Sequence, residues 1–207
     1  MTAAARSRRG RPRLGEQTTR RQAALDAALA ELLEHGITGM TMQAVATRAG
    51  SSKESLYAWF GSRQELLAAL IERQAEQVNA AVTTAIDRPA DPRATLTAIA
   101  RNLLTLLVSD VSVALNRAAM TSPELAKLLL RHGRYTTGPL VAAFLGQLAS
   151  EGLLRINEPE EAFQLFFGLV VRDLQIRVLL GERPPTTEDI HSQARTAVER
   201  FVALTGG

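Results

Sequence analysis

Apolar residues recur at every third or fourth position along most of this 207-residue chain, and no sustained alternation of apolar and polar positions occurs. A period of three to four places apolar side chains on one face of an α-helix, whereas a half-buried strand would alternate. The pattern therefore predicts an all-α fold of about nine helices. Caps and breaks place them near residues 18–34, 41–49, 51–60, 62–86 and 91–107, then from residue 122, up to residue 150, from 158 to 180 and from 187 to 204.

The segment Thr41 to Leu67 is the most informative part of the chain, because two short helices and the start of a third fit into it with very short connections. Thr41 can cap the first helix, and Gly50 supplies the permissive backbone that ends it. Ser51 and Glu54 have the spacing of a capping box for the second helix. Two short helices joined by a tight turn are typical of a helix-turn-helix unit that binds DNA.

The second short helix has one apolar face and one polar face. Leu56 and Phe60 are four residues apart and are predicted to be core. The polar positions carry hydroxyls, an ammonium group and rings with polar tips, at Ser52, Lys53, Ser55, Tyr57 and Trp59. Such side chains contact phosphates and base edges when a recognition helix enters the major groove. The two aromatic side chains could instead pack as core, and the residues alone leave that alternative open.

Charge is unevenly distributed along the chain. Residues 1–63 hold ten Lys/Arg and five Asp/Glu, a net of +5, while the whole chain carries +3. A basic N-terminal part on a slightly acidic remainder indicates that one end faces nucleic acid.

The basic excess begins in an arginine-rich arm over residues 1–17, which is predicted to be disordered. Within it, Arg9-Gly10-Arg11-Pro12 resembles the AT-hook motif, whose arginines lie in narrow A·T-rich minor grooves. Two interpretations stay open. Either Arg9 and Arg11 enter the minor groove, or the arm adds non-specific affinity through counterion release.

The run TMQAVATRAG followed by SSKESLYAWFGSRQELL strongly resembles the DNA-binding domain of the TetR family of bacterial transcriptional regulators, over about residues 18–70. The resemblance implies DNA contacts from Gln43, Lys53, Ser55, Tyr57 and Trp59, with Arg63 on a phosphate. Thr41 and Ser52, at the starts of the two short helices, are also expected at the DNA. Two positions depart from the family pattern. Glu54 stands where a small residue is common, and Trp59 stands where histidine is common. We expect Glu54 to cap its own helix; the alternative is acceptance of a hydrogen bond from a cytosine amino group.

The same resemblance implies a domain organisation. A basic arm (1–17) precedes a helix-turn-helix domain (18–64), a connecting helix (65–88) and a ligand-binding and dimerisation domain (89–207). A homodimer is expected, because a single helix-turn-helix rarely binds tightly enough, and in this family the last two long helices pair with their two-fold mates. Their apolar positions are the predicted dimer interface: Phe163, Phe166, Val170, Leu174, Ile190, Ala194, Ala197, Val198 and Phe201. These stripes could instead be monomer core, and that alternative stays open.

The resemblance further implies a small apolar or amphipathic effector, bound between helices, that releases the protein from a palindromic DNA operator. The expected cavity wall comes from Leu103, Leu106, Met120, Phe144, Phe167 and Val171. Polar candidates to orient the ligand are Asn102, Arg117 and Tyr135, each of which could instead be solvated or ion-paired. The expected function is that of a ligand-responsive repressor, and the alternative is a DNA-binding architectural protein without an effector.

Other function classes find little support in the sequence. No H-E-x-x-H, G-x-S-x-G or P-loop pattern occurs and the histidines are isolated, so no catalytic residue is expected and an enzyme is not predicted. The chain has no cysteine, which excludes disulfides and thiolate metal sites, and no cofactor or metal is expected. Since no run of about 18 apolar residues and no signal-peptide core occur, a cytoplasmic protein is predicted.

Overall fold

The computed structural model describes residues 14–87 and 91–206, and within these ranges the chain forms eleven α-helices and no strand. The helices are α1 (Leu14–Gly39), α2 (Met42–Arg48), α3 (Lys53–Phe60), α4 (Arg63–Asp87), α5 (Pro92–Leu107), α6 (Asp110–Ala119), α7 (Pro123–His132), α8 (Arg134–Ser150), α9 (Pro159–Val171), α10 (Leu174–Leu179) and α11 (Thr187–Thr205). The all-α class predicted from the apolar periodicity is confirmed.

Two helices were not predicted separately. Helix α6 begins at a cap formed by Ser109, whose hydroxyl accepts a hydrogen bond from the Ser112 backbone N–H at 3.2 Å. The helix predicted from residue 158 to 180 is divided into α9 and α10, because Arg172 adopts a φ of 51° at the end of α9. A positive φ at a residue other than glycine costs about 1–3 kcal/mol, and no glycine marks this break in the sequence.

The first compact unit extends to Leu66 and includes helices α1 to α3. The run of α1 is interrupted at Gly36, with a φ of 66°, where the sequence predicted its end. The core of this unit contains Ala24, Leu25, Ala28, Leu32, Met40, Val45, Leu56 and Phe60. Leu56 and Phe60 are therefore core residues, as predicted. Burial of each such side chain contributes roughly 1.5–3 kcal/mol before the entropy cost of folding is subtracted.

The second compact unit begins at Leu67 and has a larger core, to which α4, α5, α6, α8, α9, α10 and α11 contribute. Phe166 on α9 and Phe201 on α11 meet edge to face at its centre, with ring centroids 5.3 Å apart. Both rings are fully buried. The preferred edge-to-face geometry adds about 0.5–1.5 kcal/mol to the burial of the two rings. Helices α9 and α11 are thereby packed through their apolar stripes within one chain.

Candidate DNA interface and ligand cavity

Helices α2 and α3 form a tight corner whose helix starts are capped by side chains. The Thr41 hydroxyl accepts a hydrogen bond from the Ala44 backbone N–H at 3.1 Å. The Ser52 hydroxyl accepts one from the Ser55 backbone N–H at 3.2 Å. Between the two helices Gly50 has a φ of 59°, a conformation that glycine adopts without steric cost. The corner is therefore specified by local interactions of its own residues.

Glu54 interacts with the start of its own helix. Its backbone N–H and the Ser52 hydroxyl donate hydrogen bonds to the carboxylate and hold the pKa of Glu54 below its usual range. A carboxylate in the first turn also complements the helix dipole. The expected pairing with Ser51 is wrong by one residue, because Ser52 is the N-cap of α3.

A network of one arginine and two glutamates attaches α2 to α1. Arg48 Nε donates to Glu31 Oε1 at 2.6 Å, and Arg48 Nη1 donates to Glu34 Oε1 at 2.8 Å. Glu31 is only 5% exposed, so the arginine neutralises a carboxylate that would be costly to bury alone. Hydrogen bonding to Arg48 also holds the pKa of Glu34 below its usual range. This network is not predictable from the sequence, because no helical period relates Glu31 to Arg48.

Lys53 and Tyr57 lie one turn apart on the exposed face of α3. The Lys53 Nζ atom is 5.9 Å from the centre of the Tyr57 ring, and 46% of Tyr57 is exposed. Gln43 on α2 is also exposed, with its side-chain nitrogen 3.5 Å from the Thr47 hydroxyl. An ammonium, a phenol and an amide are thus available to partners outside the chain, as contacts with phosphates and base edges require.

Four other residues predicted to contact DNA cap helices or are partly packed within the first unit. Thr41 and Ser52 are exposed, but their hydroxyls serve as helix caps. Ser55 and Trp59 are half-buried. Each of these four residues is at least partly exposed and is therefore accessible to DNA.

Of the three arginines predicted to contact DNA, the structure describes one, Arg63. Arg63 Nε donates to the backbone carbonyl of Met40 at 2.7 Å, so part of this guanidinium is used inside the unit. Since a guanidinium has five N–H donors, others remain for a phosphate. Arg9 and Arg11 lie outside the described residues.

The second unit contains a cavity of about 310 Å³, lined by residues of α4 to α10. Small-molecule sites span roughly 300–1,000 Å³, so this cavity suits a ligand at the small end of that range. Its apolar wall is formed by Ile71, Ala75, Val78, Val82, Ile99, Leu103, Leu106, Leu107, Leu115, Leu129, Leu130, Val141, Phe163, Phe166 and Phe167.

Three of the predicted ligand contacts line this cavity, namely Leu103, Leu106 and Phe167. The structure places the other six elsewhere: Asn102, Arg117, Met120, Tyr135, Phe144 and Val171. All nine lie on helices or at helix ends next to the cavity. The predicted helices therefore surround the cavity, while six of the predicted residues lie outside its lining.

The six predicted residues that do not line the cavity are exposed, hydrogen-bonded to another helix, buried in the core or turned away from the cavity. Met120 and Tyr135 are 68% and 67% exposed. Arg117 donates from Nε and Nη2 to the backbone carbonyl of Leu179, at 3.3 and 3.0 Å. Phe144 and Val171 are buried in the core. Asn102 is half-buried beside Leu103, and one step along a helix turns its side chain about 100° away.

Arg134, at the first position of α8, is a cavity residue that sequence analysis missed. Its guanidinium carbon lies 4.4 Å from the centre of the Phe163 ring and 5.7 Å from that of Phe167. Its Nη2 donates to Glu160 Oε1 at 3.3 Å, and the Glu160 side chain is 53% exposed. A pair this open to water contributes about 0–1 kcal/mol. The sequence signal that could have indicated it is Gly138, one turn later, where the missing side chain leaves room for the guanidinium.

The uncharged polar groups of the cavity wall fall into two classes. The Thr137 hydroxyl donates to the Asn79 side-chain oxygen at 2.6 Å. Asn116 donates to the backbone carbonyl of Ser112 at 2.8 Å. By contrast, the side-chain amides of Gln74 and Gln175 make no hydrogen bond with any part of the chain that the structure describes. The two glutamine amides are therefore the uncharged groups most available to a ligand.

The predicted dimer interface is corrected by the burial pattern. Eight of the nine residues are buried within a single chain: Phe163, Phe166, Val170, Ile190, Ala194, Ala197, Val198 and Phe201. The ninth, Leu174, is half-buried and packs on the same core. The stripes form monomer core, the alternative that the sequence left open, because α9 packs against α11 of its own chain. An open groove between α9 and α11 is lined by Leu169, Arg172, Asp189, Ser192, Gln193, Thr196, Ala197 and Arg200.

Among the described residues, no single helix has both the length and the apolar composition needed to cross a membrane. Only α5 and α6 taken together, with a bend of 60° between them, would satisfy those two criteria.

Comparison with known proteins identifies both parts of the chain. Residues 24–70 match the family described as "Bacterial regulatory proteins, tetR family", and residues 94–204 match the "AefR-like transcriptional repressor, C-terminal domain". The HTH-type transcriptional regulator BetI of Agrobacterium fabrum is 30% identical, over 86% of this chain and 89% of its own length.

Solved structures agree with the sequence matches. A TetR transcriptional regulator from Agrobacterium tumefaciens is 38% identical, with a TM-score of 0.72 over 90% of this chain and 94% of its own. The Flavonoid-responsive Regulator FrrA is 27% identical, with a TM-score of 0.70 over 91% of this chain and 98% of its own. The matched domains and relatives are those of transcriptional regulators and not of enzymes. The helix-turn-helix corner lies within the first matched region, and the second region alone covers more than half of the sequence. The chain therefore belongs to the TetR family of bacterial transcriptional regulators.

Proposed function

We propose that this chain is a homodimeric repressor that binds a palindromic operator through α3 and leaves it when a small ligand fills the cavity of the second unit. The observation that carries the proposal concerns α4. This helix begins at Arg63, next to the helix-turn-helix corner in sequence, and its later residues Ile71, Val78 and Val82 line the cavity. A single helix is thus available to respond to the ligand and to reposition α3.

Binding to DNA relies on the exposed side chains of the corner. Helix α3 enters the major groove, where Lys53 and Tyr57 contact the phosphate backbone. Gln43 on α2 reaches the duplex beside them, and the free N–H groups of Arg63 contact a phosphate. The arm that carries Arg9 and Arg11 adds electrostatic affinity, through the minor groove or through counterion release.

Dimerisation uses the outward faces of α9 and α11. Leu165 and Leu169 on α9 are partly exposed, and Thr196 and Arg200 on α11 face the open groove between the two helices. Two-fold pairing of these faces places two copies of α3 on the two halves of a palindrome. The apolar stripes predicted from sequence contribute indirectly, because they hold α9 and α11 together.

Release from the operator follows from a shift between two conformations. A ligand that prefers the conformation unable to bind DNA by about 1.4 kcal/mol weakens operator binding tenfold. A ligand with equal affinity for both conformations has no effect. The small apolar cavity favours a small amphipathic effector. The similarity to a flavonoid-responsive regulator supports a ligand with aromatic rings.

The deciding experiment is selection of bound sequences from a random duplex library with the full-length protein. We expect a two-fold palindrome, which then serves as the operator in ligand-release assays. Replacing both Lys53 and Tyr57 with alanine provides the control: this variant should keep its helical content and enrich no motif. Enrichment of A·T content without a motif, together with a steep salt dependence, would instead indicate an architectural DNA-binding protein.

A further inference from the structure

The cavity of the second unit contains a positioned cation. Arg134 is the only charged side chain among the lining residues that the structure describes. It has no acidic counterpart in the wall, since Glu160 is exposed and does not line the cavity. Because the only acidic partner of Arg134 lies outside the wall, a ligand inside the cavity meets a positive charge with no negative charge among the lining residues, which favours a ligand that carries negative charge.

The Arg134 guanidinium is held in place by packing. It lies over Phe163 and near Phe167. On its other side is Gly138, where an added Cβ would come within 2.6 Å of Arg134 Nη1 and 2.9 Å of the Phe163 ring. Only a residue without a side chain leaves this space, so the guanidinium fits between α8 and the phenylalanine ring. A cation fixed in this way loses little freedom when it binds an anion.

The hydrogen-bonding capacity of Arg134 is largely unused. Its guanidinium makes one hydrogen bond with a described residue, from Nη2 to Glu160. A guanidinium offers five N–H donors in a fork that matches a carboxylate. Most of these donors are therefore available to an acceptor in the cavity, while Glu160 competes from the rim.

The same arrangement disfavours a cationic ligand. Aromatic ring faces are the surfaces that attract ammonium groups. The Arg134 guanidinium already lies over the Phe163 face, so a second cation there would be repelled. The rest of the wall is apolar, with Phe166 and Phe167 beside Phe163, and Gln74 offers an amide from α4. These surroundings suit an aromatic ring that carries one acidic group.

We propose that the cavity binds a small aromatic anion, such as an aryl carboxylate, with its carboxylate on Arg134 and its ring against the phenylalanines of α9. The inference rests on the proposed function in one respect: the bound anion is the effector that releases the operator. Binding itself is a separate property and can be tested without DNA.

The test measures binding of four compounds to the full-length protein by isothermal titration calorimetry at neutral pH. The compounds are naphthoate, its neutral isostere naphthamide, the cation naphthylmethylamine and the aliphatic anion decanoate. We expect naphthoate to bind about tenfold or more tightly than the amide and the amine, since charge-assisted bidentate pairs are among the strongest hydrogen bonds. We expect the same preference over decanoate, since only naphthoate has rings that can pack on the phenylalanines of the wall. Equal affinities for naphthoate and naphthamide, tighter binding of the cation or of decanoate, or no binding of naphthoate at millimolar concentration would overturn the proposal.

Two substitutions with opposite expected effects test whether Arg134 causes the preference for naphthoate. Arg134→Gln should reduce naphthoate affinity about tenfold and leave naphthamide nearly unchanged. Glu160→Gln should raise naphthoate affinity a few-fold, because it removes the competing carboxylate. The matched controls are Arg131→Gln, on the exposed end of α7, and Glu161→Gln, next to Glu160 on α9; both should bind like the parent.

Glu160→Gln provides a second test if Arg134→Gln folds poorly. Glu160 is exposed at the first turn of α9, so its substitution is expected to preserve the fold. Failure of Glu160→Gln to raise naphthoate affinity, or a preference for naphthoate that persists in folded Arg134→Gln, would overturn the assignment.

Calorimetry and the duplex selection separate the anion site from the operator-binding function. A palindromic operator combined with no preference for naphthoate would reject the aromatic anion and keep the repressor. An Arg134-dependent preference without a palindromic motif would support the anion site and reject the operator-binding function.

Discussion

Both units of the chain place a cation near an aromatic ring, but in different surroundings. Lys53 lies 5.9 Å from the Tyr57 ring on the open face of α3, whereas Arg134 lies 4.4 Å from the Phe163 ring in a cavity. Water and salt screen the first pair and leave its ammonium able to exchange partners. The second cation lies against the Phe163 ring on its cavity side and is paired with the exposed Glu160 at the rim. An exposed cation can contact the phosphates of DNA, whereas a cation that faces a cavity can orient a small ligand.

The same contrast of inward and outward groups applies to the apolar side chains of the second unit. Helix α11 directs Phe201 into the core and leaves Leu204 exposed. Helix α9 directs Phe166 inward and leaves Leu165 partly exposed. The inward residues support the fold and the cavity. The outward residues of the same helices are available for dimerisation.

The largest effect on stability is expected when a charged residue replaces a core residue of α11. Phe201→Glu should destabilise the second unit by about 4 kcal/mol or more, because truncating a buried Phe alone costs about 3–5 kcal/mol and an unpaired carboxylate adds a desolvation penalty. Urea unfolding followed by circular dichroism measures the change. Leu204→Glu, on the exposed side of the same helix, should stay within about 0.5 kcal/mol of the parent. A folded, monomeric Phe201→Glu variant would mean that this ring belongs to the dimer interface after all.

A charge on the outward side of α9 should act on association and not on folding. Leu165→Glu should weaken the dimer by about 2–3 kcal/mol, since two-fold symmetry places two unpaired carboxylates in one interface. Sedimentation equilibrium gives the dissociation constant. The control is Leu153→Glu, which changes a similarly exposed leucine outside α9 and α11. An unchanged dissociation constant for Leu165→Glu would exclude this face of α9 from the interface.

The outward cation of α3 should contribute to phosphate binding. Lys53→Gln should lower operator affinity about tenfold and reduce the slope of log affinity against log salt by about two, because each dimer loses two phosphate contacts. Fluorescence anisotropy titrations at several salt concentrations provide both values. The chain's other lysine, Lys127, lies exposed in the second unit, and Lys127→Gln should bind like the parent. An unaltered salt slope in the Lys53 variant would remove this residue from the DNA interface.

The smallest effect concerns the ion network that attaches α2 to α1. Arg48→Gln should lower the unfolding midpoint of the first unit by a few degrees, because Glu31 loses its cation while buried. Arg177→Gln breaks a pair with Glu182 that is exposed on both sides, and should cause no measurable change.

The Arg48 network also has a pH signature. Because Arg48 lowers the pKa of Glu34, its contribution to stability is present above the ordinary carboxyl range and is lost as pH falls through the lowered pKa. The parent should therefore lose stability more steeply than Arg48→Gln below about pH 5. Thermal unfolding at a series of acidic pH values tests this, and parallel pH profiles would argue against the network.

The sequence was most informative where structure depends on neighbours in the chain. The caps at Thr41 and Ser52, the turn at Gly50 and the buried Leu56 and Phe60 all act within a few residues of one another. Such interactions leave a regular pattern, so the corner and its polar face could be predicted. Even here the capping residue was misplaced by one position, which is the usual precision of helix boundaries.

The cavity was less predictable because its lining depends on how helices distant in sequence pack. Arg134 lines it because Gly138 and Phe163 leave a place for the guanidinium. Tyr135, the next residue, points to solvent. Gly138, four residues after Arg134, is the one sequence feature that separates these two positions, and its meaning depends on Phe163 packing beside it.

By itself, the amino-acid sequence determined the helical class, the helix-turn-helix corner and the family, since these follow from periodicity, capping and an uninterrupted motif. Tertiary structure alone decided that the apolar stripes of α9 and α11 face each other within one chain, that Arg48 neutralises Glu31 and that Arg134 lies against Phe163. The physical reason is that an apolar stripe or a charged side chain specifies the kind of partner it needs. Which partner it meets is decided by the packing of the whole unit.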